Sequence, residues 1–125
     1  MNFIEKALVR KVLKPQLVNV GEEHVELKFD QFDLIRRHAG SYLHYLEDVM
    51  TYLPGVLTAE LNEQDGTLSI QYDGTRTDSR KVSKWFDYAV ESGIKASDEI
   101  NLMTAEPDQV VGVIKKHLLP LVSEF

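Results

Sequence analysis

The chain contains no cysteine. That excludes disulfides, zinc ribbons, thiolate metal sites and cysteine nucleophiles, and it accords with a cytoplasmic location. Long apolar runs are missing as well. None approaches the roughly 18 residues that a membrane-spanning helix needs. The first residues lack an apolar h-region followed by a small-residue cleavage site, so no secretory signal is read. Positive charge is in deficit, with a formal total of −6, whereas a binder of duplex nucleic acid normally carries a basic face. The catalytic signatures are absent too: no P-loop, no G-x-G-x-x-G, no G-x-S-x-G and no H-E-x-x-H. No catalytic constellation is found, no cofactor is implied, and the expectation is a chain that is not an enzyme.

What is present is an ordinary globular composition. A length of 125 residues with 43% hydrophobic and 27% charged suits a single domain with its own core. The charge is uneven. Lys6, Arg10, Lys11 and Lys14 against Glu5 give residues 1–16 a net +3, so the remainder carries −9. Such asymmetry can mark a segment that meets an anionic surface; a solvated basic helix face is the commoner cause.

Apolar residues Phe3, Ile4, Ala7, Leu8 and Val12 recur at helical spacing over 2–14, and Pro15 ends that helix. Peripheral membrane contact through this basic amphipathic segment is one use for it; packing its stripe on its own domain is the reading adopted. Val25, Leu27 and Phe29 alternate with His24, Glu26 and Lys28, which predicts a half-buried strand. A polar connection follows over Gln31–Gly40, with Ser41 as the N-cap of the next helix. That helix carries Leu43, Leu46, Val49, Met50 and Leu53 toward the core and stops at Pro54-Gly55. Two alternating runs around a loop with Asp65-Gly66 predict an antiparallel hairpin. Thr77 or Asp78 caps a helix whose stripe is Val82, Trp85, Phe86, Ala89 and Val90, and Gly93 closes it. Ile94-Lys95-Ala96 then reads as a short edge strand, with Ile100–Met103 as an alternative, and Pro107 opens a last helix through about 123, bent or ended by Pro120. The fold class expected is α+β: a ferredoxin-like βαββαβ sandwich over 24–97 with an extra helix at each terminus.

Leu53-Pro54-Gly55-Val56, then Asn62, Gly66, Leu68, Ile70, Tyr72 and Asp73, then Gly93-Ile94-Lys95-Ala96, resemble the heavy-metal-associated (HMA) domain family over about residues 24–97. In metal-carrying members a C-x-x-C at the start of the first helix holds a soft ion such as Cu(I), because thiolates suit a soft cation. Counting back from Pro54, the matching positions are about Ala39 and Tyr42. Neither ligates metal. The resemblance implies the fold and removes soft-metal transfer by that route.

What remains is a non-enzymatic protein-interaction or regulatory module. The resemblance implies a protein partner, often a membrane transporter in family members; self-association is the other form. The residues placed in its binding surface are Arg36, Arg37 and His38 in the loop, with Tyr42 and Tyr45 on the following helix. The alternative is a metal site of the Zn, Ni or Fe type built from His38, His44 and Asp48, since imidazole and carboxylate suit those ions. His44 and Asp48 share a helix face, but His38 and His44 lie about 240° apart around a helix. Trp85-Phe86 is read as core. The outward strand positions Glu26, Lys28, Thr58, Glu60, Ser69 and Gln71 lack the aromatics an RNA-binding sheet uses.

Overall fold

A computed structural model describes residues 2–102 and 104–125; the side chains of His38, Ala39, Ser41 and His44 lie outside the description. In chain order the elements are α1 (Phe3–Val12), β1 (Gln16–Val18), β2 (His24–Lys28), α2 (Phe32–Thr51), β3 (Val56–Asn62), β4 (Thr67–Tyr72), α3 (Ser79–Glu99), α4 (Pro107–Leu118) and a 3₁₀ segment, Leu119–Glu124. The chain is α+β, with one four-stranded antiparallel sheet in the order β1-β2-β4-β3.

Strand periodicity sorts the sheet's side chains to two faces. Leu27, Leu68 and Leu61 form one cross-strand row and Val25, Ile70 and Ala59 another, on the face turned to the helices. Val25, Leu27, Leu68 and Ile70 have no exposed surface there. On the opposite face the rows are Lys28–Thr67–Asn62, Glu26–Ser69–Glu60 and His24–Gln71–Thr58. These positions are exposed or half-exposed. The sheet is thus covered on one side and open on the other, which an antiparallel sheet tolerates when its outward residues are polar.

Several expectations hold. The hairpin runs from Val56 to Tyr72 with its turn at Asn62–Gly66. Gly55 and Gly66 adopt φ of 101° and 66°, a region that side chains with a Cβ rarely enter. Asp78 caps α3 by accepting from the Lys81 amide at 2.9 Å, and Pro107 sits in the first turn of α4.

Three expectations are corrected. Residues 94–96 are helical, because α3 continues to Glu99. Gly93 does not end it: Gly93 lies in mid-helix, where a Cβ would come within 2.7 Å of the Tyr42 ring. The fourth strand is β1 instead, three residues long and paired to β2. Finally, α2 starts at Phe32 and not at Ser41, so the supposed loop 31–40 forms its first turns.

The core is pinned by directed hydrogen bonds. Trp85 is fully buried, and its indole N–H donates to the Val49 carbonyl at 3.0 Å. The Tyr42 hydroxyl donates to the Ala89 carbonyl at 2.6 Å. Phe29 packs on Phe86 with ring centroids 5.6 Å apart, and the Phe125 ring meets Trp85 and Tyr88 edge-on. Burying each such aromatic contributes several kcal/mol, roughly 3–5 by the cost of truncating it. Helix α1 adds Val9 and Val12 to the same core, with Leu13 just past its end, and is fastened to α3 by Lys6–Asp98 and Arg10–Glu91, both at 2.7 Å.

Candidate functional site

The β2–α2 connection spans only residues 29–31, and it lies against the hairpin tip. The Phe29 amide donates to the Gly66 carbonyl at 2.9 Å, and the Gly66 amide to the Asn62 carbonyl at 2.9 Å. Inside the turn, the Asn62 side-chain oxygen accepts from the amides of Gln64 and Asp65. Gly66 is required here for space as well as conformation, since a Cβ would meet Phe32 at 3.2 Å and the Phe29 carbonyl at 3.3 Å. The tip is thereby held by backbone hydrogen bonds on both sides.

Arg36 stands in the second turn of α2 and closes over this junction. Its guanidinium lies 5.0 Å from the centre of the Phe32 ring and donates to the Glu63 carbonyl at 3.0 Å. Carboxylates of Asp33 and Glu63 each sit 3.6 Å from it. Beside it is an open depression of about 560 Å³ lined by Lys28, Asp30, Asp33, Arg36, Glu63 and Asp65 among others. On the other side of the tip, facing the open sheet, is a second depression of about 510 Å³ lined by Glu26, Glu60, Asn62, Thr67 and Ser69 with the same tip residues. Both are shallow, polar and formed by charged side chains that remain hydrated. Such surfaces suit complementary charges on a macromolecule better than an enclosed apolar ligand.

Of the residues expected to bind, Arg36 lines this site and Arg37 is exposed next to it on α2. Tyr42 is a correction. Only 5% of it is exposed, its hydroxyl is used inside the core, and burial pushes its phenol well above the usual tyrosine range. Tyr45 is half-buried against the core. The His38 and His44 side chains lie outside the described ones. Asp48 is exposed, and its backbone carbonyl accepts from the Thr51 hydroxyl at 2.6 Å. Ala39 and Tyr42, matched above to the thiol ligands, fall within α2 and away from the strand–helix junction; that junction carries Asp30 instead.

Among the described residues no group of three or more His, Asp or Glu is placed to hold a metal ion. His24 lies 3.5 Å from Glu26 and His117 lies 2.7 Å from Glu99, each as a surface pair. Comparison with protein-family models, curated proteins and solved structures finds no match for this chain. Among the described residues no helix is long and apolar enough to cross a membrane.

Sequence reasoning missed Lys28, Asp30, Asp33, Glu63 and Asp65 as parts of one site, since they come from two segments joined only by the fold. The Asn62-x-x-Asp65-Gly66 turn was the available signal, because a tight turn beside a charged strand end concentrates charge at one place. A separate groove of about 250 Å³ between α1 and α3 holds Arg10, Lys14, Asp87 and Glu91. There burial pushes the Asp87 carboxyl up, against the opposing pull of Lys14.

Proposed function

We propose that this chain is a non-enzymatic protein-interaction module with an HMA-like layout from which the cysteine metal site has gone. The observation that carries the reading is the charged cleft at the β2–α2 junction. It lies where β2 passes into α2 and presents Lys28 and Arg36 beside Asp30, Asp33 and Glu63, while Ala39 and Tyr42, the positions matched to the thiolates, lie farther along α2. The order β2-α2-β3-β4-α3 supports the layout, and β1 supplies the strand beside β2 that the ferredoxin-like arrangement would take from the C-terminal side. The partner is a protein with a mixed-charge surface, and a cytoplasmic site of action belongs to the same proposal. Arg36 and Arg37 provide the attraction, and the fixed hairpin tip provides the register.

The test is quantitative affinity enrichment from the host with the wild-type chain and an Arg36→Glu/Arg37→Glu chain, followed by titration of the purified candidate. A protein retained by the wild type and weakened at least about tenfold by the double substitution supports the reading, that factor being about 1.4 kcal/mol. Equal binding by the two chains refutes it. Circular dichroism guards the comparison, because exposed ion pairs of this kind contribute only about 0–1 kcal/mol to stability.

A further inference from the structure

The sheet ends in two edge strands, and the fold treats them differently. At one end β1 is three residues long, Gln16–Val18. Pro15 before it has no amide, and Asn19 after it turns to a φ of 49°. An edge that short offers few bonds to an added strand. At the other end β3 runs for seven residues, Val56–Asn62, with β4 on its inner side. A bulge between Val56 and Thr58 interrupts its first part. The regular part, residues 58–62, contains neither lysine nor proline, two of the residues that commonly blunt an exposed edge.

Successive residues of an antiparallel strand turn their backbone groups to alternate sides. The Asn62 carbonyl turns inward, where it accepts from the Gly66 amide at 2.9 Å. Leu61 therefore turns outward, and its amide donates at 3.0 Å to the Glu47 carboxylate, which reaches over from α2. Ala59, two residues earlier, turns the same way. The outer edge thus carries amide donors at Ala59 and Leu61, and a side chain from another element holds the second. Glu47 itself is exposed, whereas Leu46, Val49 and Met50 beside it are buried. The core fixes the backbone that carries this carboxylate, and the carboxylate adds nothing to the core.

We infer that Glu47 is a guard on the β3 edge: its carboxylate, bonded to the Leu61 amide, keeps the β3 strand of a second copy from pairing there. A second copy is the strand to be kept off because this edge fits itself. Turned antiparallel about a twofold axis at Ala59, Thr58 of each copy lies opposite Glu60 of the other, so the two glutamates do not stand directly opposed. Such a contact is isologous and closes as a dimer. Pairing needs the Leu61 amide and the space beside it, and the Glu47 carboxylate holds both. The inference does not rest on the charged cleft, which neither Glu47 nor Ala59 lines.

Sedimentation velocity on the full chain tests it, with the wild type, Glu47→Ala, Glu47→Gln and Glu47→Ala/Ala59→Pro. The alanine variant is expected to dimerise at least about tenfold more tightly than the wild type. The glutamine variant is expected to match the wild type, because its side-chain oxygen still accepts from the Leu61 amide. Proline at position 59 removes the neighbouring donor on the solvent side of an edge strand, and is expected to abolish the gain. An alanine variant that associates no more tightly than the wild type overturns the inference. So does a glutamine variant that dimerises like the alanine one, or a folded proline variant that keeps the gain. Should circular dichroism show the proline variant unfolded, amide exchange in Glu47→Ala decides. The Ala59 and Leu61 amides are expected to gain protection as concentration rises, and a dimer in which they stay unprotected overturns the inference.

Discussion

The two faces of one sheet have opposite duties. On the covered face Leu27, Leu68, Val25 and Ile70 are wholly buried under α2 and α3, and the large rings above them are oriented by hydrogen bonds such as Trp85 to Val49. On the open face the same strands present Glu26, Ser69, Glu60, Gln71 and Thr58 to water. One residue of register separates the two sets, so a single slip would exchange core for surface. Where the covered face derives stability from packing, the open face contributes little to it and is free to carry recognition.

The comparison is broken hardest by removing what fills the covered side. Trp85→Ala is expected to cost about 3–5 kcal/mol in urea unfolding, the range for truncating a buried aromatic. A loss under about 1 kcal/mol would mean that Trp85 does not organise the core. Gly93→Ala comes next, at about 1–3 kcal/mol, because its Cβ would lie 2.7–2.9 Å from the Tyr42 ring atoms. An alanine that leaves the melting temperature unchanged would contradict the close approach of α2 and α3. Tyr42→Phe is smaller, about 1 kcal/mol, since it keeps the ring and removes only the hydrogen bond to Ala89. Because the hydroxyl is inside the core, binding to a partner should be unchanged by this substitution.

Acid tests the ion pairs that tie α1 and α4 to α3. A hydrogen bond from Lys6 holds Asp98 below its ordinary value, and bonds from Lys116 and His117 do the same for Glu99. A carboxyl lowered in the folded state adds stability that is fully present above its unfolded value and lost as pH falls through the folded one. Below the ordinary carboxylate range α1 and α4 should therefore loosen from α3 before the sheet opens. Hydrogen exchange against pH reads this directly: earlier exchange in α1 and α4 is expected, and simultaneous exchange everywhere would contradict it. Asp87 has the reverse sign. Burial raises it, so its contribution is present at low pH and lost as pH rises through the raised value.

The hairpin was legible because three independent signals agreed over it. Pro54-Gly55 stopped the helix, alternation marked both strands, and Asn62 to Gly66 supplied the turn chemistry. The helices were legible in type but not in extent. Arg36-Arg37-His38 and Gly40 resemble a loop by composition, yet Phe32 and Ile35 begin a buried stripe that runs on to Tyr42, Leu43 and Leu46. Helix stability here comes from that stripe and overrides the local polarity. Gly93 misled for a tertiary reason. It is small because Tyr42 packs on it, and no local pattern distinguishes that use from a C-terminal cap. The strand Gln16–Val18 is too short for alternation to reveal, and its position depends on pairing with β2. The candidate cleft was legible only through Arg36, because its carboxylates come from both the junction and the hairpin.

The smallest expected effect tests the division of labour most directly. Urea unfolding of the Glu26→Lys/Glu60→Lys chain should give a stability within about 0.5 kcal/mol of the wild type, as for substitutions on an exposed surface. That result would leave the open face free for recognition. A loss above about 2 kcal/mol would show that these rows hold the fold together, and would contradict the separation of a structural face from a binding one.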